Sequence, residues 1–141
     1  MKKILFLLVL IPVFSNADNL KTMYWSYACD MYIYQYDIEK GKYKIYTRLD
    51  VEDTVLGKYR SFQLVEGELK RIKKSVYVTS SKYSKGEDIV DFTGIDSAIL
   101  KSQKNGSVTL FPCDTNSALQ IITEAEEYFK NCPKNVIKKC P

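Results

Sequence analysis

Residues 29–46 read CDMYIYQYDIEKGKYKIY. A cysteine is followed by tyrosine at every second position. In an extended chain Tyr32, Tyr34, Tyr36 and Ile38 share one face, and Met31, Ile33, Gln35 and Asp37 share the other. Tyrosine and isoleucine favour strands. Glu39-Lys40-Gly41-Lys42 is a polar turn with one glycine. Alternation then resumes from Tyr43 to Val51 through Ile45, Thr47 and Leu49. Two alternating runs around a short glycine-containing link predict a β-hairpin. One face of such a hairpin must be buried, so the tyrosines read first as cross-strand packing and second as a binding surface.

Working outward, residues 18–28 form a lead-in containing Trp25. Residues 52–60 read as a loop. A short strand over Ser61 to Val65 is followed by the polar link Glu66-Gly67-Glu68. Leu69 to Thr79 carries Ile72, Val76 and Val78 in strand-like phase, and residues 80–88 are a polar loop. Ile89 to Phe92 is a short apolar run. Asn105-Gly106 between apolar segments predicts a tight hairpin of type I′, in which both central residues take positive φ. That turn also accounts for the glycosylation-like triplet Asn105-Gly106-Ser107.

After Pro112 the period changes. Asp114-Thr115-Asn116-Ser117 offers several N-cap candidates, Ser117 with Gln120 fits a capping box, and Leu119, Ile122, Ala125 and Phe129 recur at helical spacing up to Asn131. Leu119, Ile122 and Phe129 are therefore expected to face the sheet.

The four cysteines, Cys29, Cys113, Cys132 and Cys140, are an even set and predict two disulfides. A helix of about 15 residues spans roughly 22 Å, too far for a bridge between Cys113 and Cys132, because bridged Cα atoms stand about 4.4–6.8 Å apart. Two pairings remain. Cys29–Cys113 with Cys132–Cys140 is preferred, because the second bridge closes a small loop; Cys29–Cys132 with Cys113–Cys140 stays open.

The chain begins MKKILFLLVLIPVFSNADN. Lys2 and Lys3 precede an apolar run from Ile4 to Phe14, and Ser15-Asn16-Ala17 fits a cleavage site. This is the pattern of a signal peptide over residues 1–17, with a single disulfide-stabilised domain over 18–141. Export into a periplasm or out of the cell is expected, with no transmembrane segment after the leader is removed. Lysine and arginine number 21 against 17 acids. Two of the lysines leave with the leader, so the mature charge is about +2, and nucleic acid is not an expected partner.

With no histidine in the chain, Ser-His-Asp triads, Cys-His pairs and histidine-dependent zinc sites are excluded. No C-x-x-C pair and no glycine-rich phosphate loop is present. No metal or cofactor is expected. Three acid clusters remain for carboxylate chemistry: Glu66 with Glu68, Asp50 with Glu52 and Asp53, and Glu87 with Asp88 and Asp91. Asp88 and Asp91 are also the candidates for calcium. All lie beside expected turns, where solvated acids are ordinary.

Two features point to binding. Seven of the eleven tyrosines lie between residues 24 and 46, and Tyr32, Tyr34 and Tyr36 are the first candidates. Lys70, Arg71, Lys73 and Lys74 are the second, within a basic stretch over 58–86 that a solvated strand face explains equally well. Residues 111–134, FPCDTNSALQIITEAEEYFKNCPK, resemble the Cys-then-helix segment of periplasmic immunity proteins over that segment only. In architecture the chain is similar to small disulfide-tied periplasmic lysozyme inhibitors, which are also β-rich.

The expected fold is α+β: an antiparallel sheet of hairpins, with one C-terminal α-helix packed on it and two disulfides. The expected function is that of a non-enzymatic exported binding protein of the inhibitor, immunity or envelope-accessory kind. Its partner would be another protein or an envelope polymer. The alternatives are a small carboxylate-dependent hydrolase of envelope glycans, which requires two facing acids, and a structural subunit, which requires an open strand edge.

Overall fold

The computed structural model describes residues 22–54, 57–82, 84–94 and 96–131. The expected leader, Cys132 and Cys140 lie outside them. Eight strands follow one another as an antiparallel meander: β1 (Thr22–Ser26), β2 (Tyr32–Asp37), β3 (Lys42–Asp53), β4 (Gly57–Lys73), β5 (Val76–Ser81), β6 (Ser84–Asp91), β7 (Ala98–Ser102) and β8 (Gly106–Pro112). Helix α1 (Thr115–Asn131) follows.

The expected open sheet of hairpins is corrected. β8 returns to pair with β1, and the sheet closes into a barrel. The closing ladder is short: Trp25 opposes Pro112 and Ser26 opposes Phe111. Cys113 N–H adds a bond to the Tyr24 carbonyl at 2.8 Å. The disulfide Cys29–Cys113 crosses the same seam. It is the one bridge among the described residues, so the expected pair of disulfides is met there by a single member. Closure also removes the open edge expected of a structural subunit, since only a barrel leaves a sheet without terminal strands.

Closure gives the wall two apolar sides. Inside lie Trp25, Tyr34, Tyr36, Tyr43, Leu69, Tyr77, Val90, Phe92, Ala98, Leu100 and Leu110. Each large side chain so buried contributes about 1.5–3 kcal/mol. Trp25 is wholly buried, and its Nε1–H has no acceptor among the described residues. Outside, α1 covers Ile33, Tyr46 and Phe62 with Ala118, Ile121 and Ala125.

The helix is rotated from its expected face. Leu119 is exposed, Ile122 and Phe129 pack only at the margin, and the buried positions are Ala118, Ile121 and Ala125. Two alanines let the helix axis approach the wall closely. Of the expected cap candidates Asp114 takes the role, and the Ser117 capping box does not form: the Asp114 carboxylate accepts Ser117 N–H at 2.9 Å and Ser117 O–H at 3.1 Å.

Three expected links are strand instead. The reading of Glu66-Gly67-Glu68 as a turn is overturned, because β4 runs straight through it. β4 pairs with β3 over its first part and with β5 from Glu68 onward. Gly67 sits where the partner changes. A Cβ there would overlap the Ser80 carbonyl oxygen and come within 2.8 Å of Tyr43 Cε1, so only glycine lets β4 coil this tightly. The expected loops 52–60 and 80–88 are largely the ends of β3, β4, β5 and β6. The expected strand over Leu69 to Thr79 is interrupted by a turn at Lys74 and Ser75. In the β7–β8 connection only Gly106 has positive φ, at 75°. The type I′ turn is therefore replaced by a three-residue loop ending on a left-handed glycine.

Candidate functional site

In an up-and-down barrel the β1–β2 and β5–β6 connections lie at one end, and the β4–β5 turn lies at the other. The two expected binding patches therefore separate. Lys70, Arg71, Lys73 and Lys74 gather around the β4–β5 turn and are exposed. Arg71 folds back on that turn, donating from Nε to the Lys73 carbonyl at 3.4 Å and from Nη2 to the Lys74 carbonyl at 3.2 Å. That guanidinium is occupied in holding its own turn.

Tyr32, Tyr34 and Tyr36 share a face, as period two requires, but the face is the inner wall of the barrel. Tyr36 is 1 % exposed and Tyr34 is 9 % exposed. Of the two readings, packing is the one that holds for Tyr34 and Tyr36, and their candidacy as an exposed binding patch falls. Tyr32 is half-buried at the end of β2. Tyr27, in the β1–β2 connection, was not singled out in the sequence and is 46 % exposed. Its ring centroid lies 4.8 Å from that of Tyr32 and 6.4 Å from that of Tyr34. Tyr34 continues to Tyr36 at 6.4 Å in a stacked arrangement, and Tyr36 meets Phe92 edge-on at 5.4 Å. A continuous line of rings thus runs from the surface into the core. The sequence signal for Tyr27 is only its place beside Trp25 in the tyrosine-rich region.

Four phenols in and beside this line, Tyr27, Tyr34, Tyr36 and Tyr43, are held neutral. Burial raises the pKa of Tyr27, Tyr34, Tyr36 and Tyr43, and neighbouring phenols and Asp88 raise Tyr34 and Tyr36 further. For Tyr43 burial outweighs the opposing Ser81 hydrogen bond. These groups present ring faces and O–H donors, not bases.

The acid clusters separate by strand parity. Asp88 opposes Thr79 on β5, whose side chain is buried. It shares the inner face with Val90, which is fully buried. Asp91 faces the other way and accepts from Ser75 O–H at 2.9 Å. The two therefore do not converge on one calcium ion. Glu68 pairs with Lys42 at 3.3 Å, Glu52 with Lys58 at 2.8 Å, and Asp50 lies 3.9 Å from both Arg48 and Arg60. All of these lie on the outer face. No cluster of metal-ligating side chains occurs among the described residues.

Two of the hollows on the outer wall draw charged side chains from several elements. One, of about 640 Å³, lies beside Gly67 of β4, with Tyr43 next to it and Lys42, Lys44, Glu66, Glu68 and Lys82 around it. The other, of about 380 Å³, lies between α1 and the β3–β4 hairpin beside the disulfide, and includes Arg48, Arg60 and Glu124. Both are rimmed by charges of both signs. No helix among the described residues is long and apolar enough to cross a membrane. No protein-family model, curated protein sequence or solved structure matches the chain.

Proposed function

We propose that the protein is an exported, non-enzymatic binding protein of the inhibitor, immunity or envelope-accessory kind, and that it engages its partner with the tyrosine-lined end of the barrel. The observation that carries this reading is the ring line from exposed Tyr27 through Tyr32 to buried Tyr34. An exposed tyrosine packed against rings that continue into a core loses little freedom on binding. Its flat face and hydroxyl suit a protein surface or a sugar ring. The connection that carries Tyr27 is also tied by the neighbouring Cys29–Cys113 bridge.

The test is capture by the immobilised, oxidised protein from periplasmic extract and from solubilised envelope polymer. Affinity for the captured partner is then measured for the wild type and for Tyr27→Ala. A loss of about 2 kcal/mol or more is expected of a central aromatic contact. Recovery of no partner, or equal affinity of wild type and Tyr27→Ala, overturns the reading.

A further inference from the structure

Asp88 is the member of the acid clusters that the fold turns inward. Its neighbours two residues apart on β6 are Gly86 and Val90, and across the ladder it faces buried Thr79. Thr79 spends its hydroxyl on the Asp88 backbone carbonyl at 3.3 Å, not on the carboxylate. Among the described residues Asp88 enters no ion pair, whereas Asp37, Asp50, Glu52, Glu68, Glu124 and Glu126 each have a lysine or arginine within 4.0 Å. The side chain is half-buried, so it is neither sealed nor fully hydrated. A partly desolvated carboxylate attracts a cation more strongly than one in bulk water.

The groups around it are aromatic. Tyr34, Tyr36 and Tyr43 all lie within electrostatic reach of Asp88. The β5–β6 and β1–β2 connections share one end of the barrel, so the ring line from Tyr27 leads toward the same place. Ring faces attract cations, and the attraction strengthens where water is excluded. A carboxylate behind a set of tyrosine faces is thus complementary to one positive charge on an apolar stem.

We propose that this end of the barrel binds an alkylammonium group, with Asp88 as its countercharge and Tyr27, Tyr32 and Tyr34 lining its approach. The inference rests on the binding reading above and names the chemistry that the partner presents. A free amine and a lysine side chain offer the same group, and the experiment separates them.

Uniformly labelled, oxidised protein is titrated with n-butylammonium and, as the neutral isostere, with n-butanol. The readouts are the Asp88 side-chain carboxyl resonance and the ring resonances of Tyr34. A second pair of probes is an end-capped Gly-Lys-Gly peptide and its norleucine counterpart. Saturable shifts with n-butylammonium, absent with n-butanol, are expected, and Asp88→Asn should weaken them by at least about tenfold while leaving the circular dichroism spectrum intact. Saturation by the lysine peptide but not its norleucine counterpart assigns the group to a polypeptide partner; saturation by n-butylammonium alone assigns it to a small amine. Equal shifts with n-butanol, unchanged affinity in Asp88→Asn, or no saturation by either cation overturns the proposal. Should Asp88→Asn destabilise the barrel, Asp88→Glu keeps the charge and must retain binding.

The two readings fail separately. If n-butylammonium binds but no partner is captured, the partner reading falls and the site stands. If a partner is captured equally well by Asp88→Asn, the ammonium site falls and the partner reading stands.

Discussion

Cys29 and Cys113 stand 5.7 Å apart at Cα and bridge the seam where the first strand meets the last. Beside them, among the described residues, the seam holds only two opposed residue pairs and the bond from Cys113 N–H to the Tyr24 carbonyl. The bridge therefore carries a larger share of closure than a disulfide set into a long ladder would.

Reduction, or the double substitution Cys29→Ala with Cys113→Ala, should lower stability by about 2–4 kcal/mol. The bridge spans 84 residues of sequence, which places it toward the upper part of that range. Urea denaturation measures the loss. Hydrogen exchange locates it: the amides of Ser26 and of residue 113, which face the seam, should lose protection before those of β3 and β4. Uniform loss across the barrel would show that the seam does not open on its own.

Gly67→Ala should destabilise more than Gly57→Ala. The added methyl at Gly67 meets the Ser80 carbonyl and the Tyr43 ring, and neither can move without disturbing a ladder or the core. Gly57 has open space around it, and its cost is the left-handed φ of 74° alone. About 2–3 kcal/mol is expected at Gly67 and about 1 kcal/mol at Gly57. Thermal unfolding of the two variants checks the order.

Spectrophotometric titration of the tyrosines should be split. Tyr34, Tyr36, Tyr43 and Tyr46 have pKa values raised above the ordinary value of 10.0, first by burial, and at Tyr46 also by the hydrogen bond to Glu126 at 2.8 Å. A raised folded pKa contributes stability that is complete below about pH 10 and is lost as pH rises through the folded value. The protein should therefore unfold cooperatively in alkali, and these phenols should ionise with the unfolding transition rather than before it. Smooth ionisation of all eleven near pH 10 in the folded protein would contradict the burial.

The α1 cap titrates in the opposite sense. Hydrogen bonds from Ser117 backbone N–H and O–H hold the Asp114 carboxyl below its ordinary value of 3.8. Its contribution is present above about pH 4 and fades as pH falls through the lowered folded value. Asp114→Asn should keep the cap and abolish that acid dependence, whereas Asp114→Ala should lose both. Helical ellipticity against pH distinguishes the three proteins.

The parts that were legible in the sequence are those with a local physical cause. Tyr32, Tyr34 and Tyr36 share a face because side chains alternate along any strand. The turn at Gly41 was readable because a glycine there takes a φ of 61°. Helix length excluded Cys113–Cys132, and the small loop between Cys132 and Cys140 then favoured Cys113 as the partner of Cys29.

Barrel closure leaves no comparable mark. A meander reads the same whether its first and last strands meet or not, since Trp25 and Pro112 are far apart in sequence. Gly67 was misread for a related reason. Flanked by glutamates it looks like a polar turn, yet its role is set by Ser80 on the next strand. The helix face was misread because Leu119 is the larger apolar residue, while close approach to the wall selects Ala118 and Ala125. Asp88 could not be told from its neighbours until parity was fixed by its pairing with Thr79.

The meander also sets a schedule. Every contact between successive strands can form as soon as both strands exist, but the union of β1 with β8 needs nearly the whole described chain. Until Pro112 is released from whatever ribosome or translocation pore still holds it, Trp25 has half of its surroundings missing. Nascent chains truncated before β8 should therefore remain protease-sensitive however many hairpins they contain. Native protection should arrive in one late step rather than in seven gradual ones.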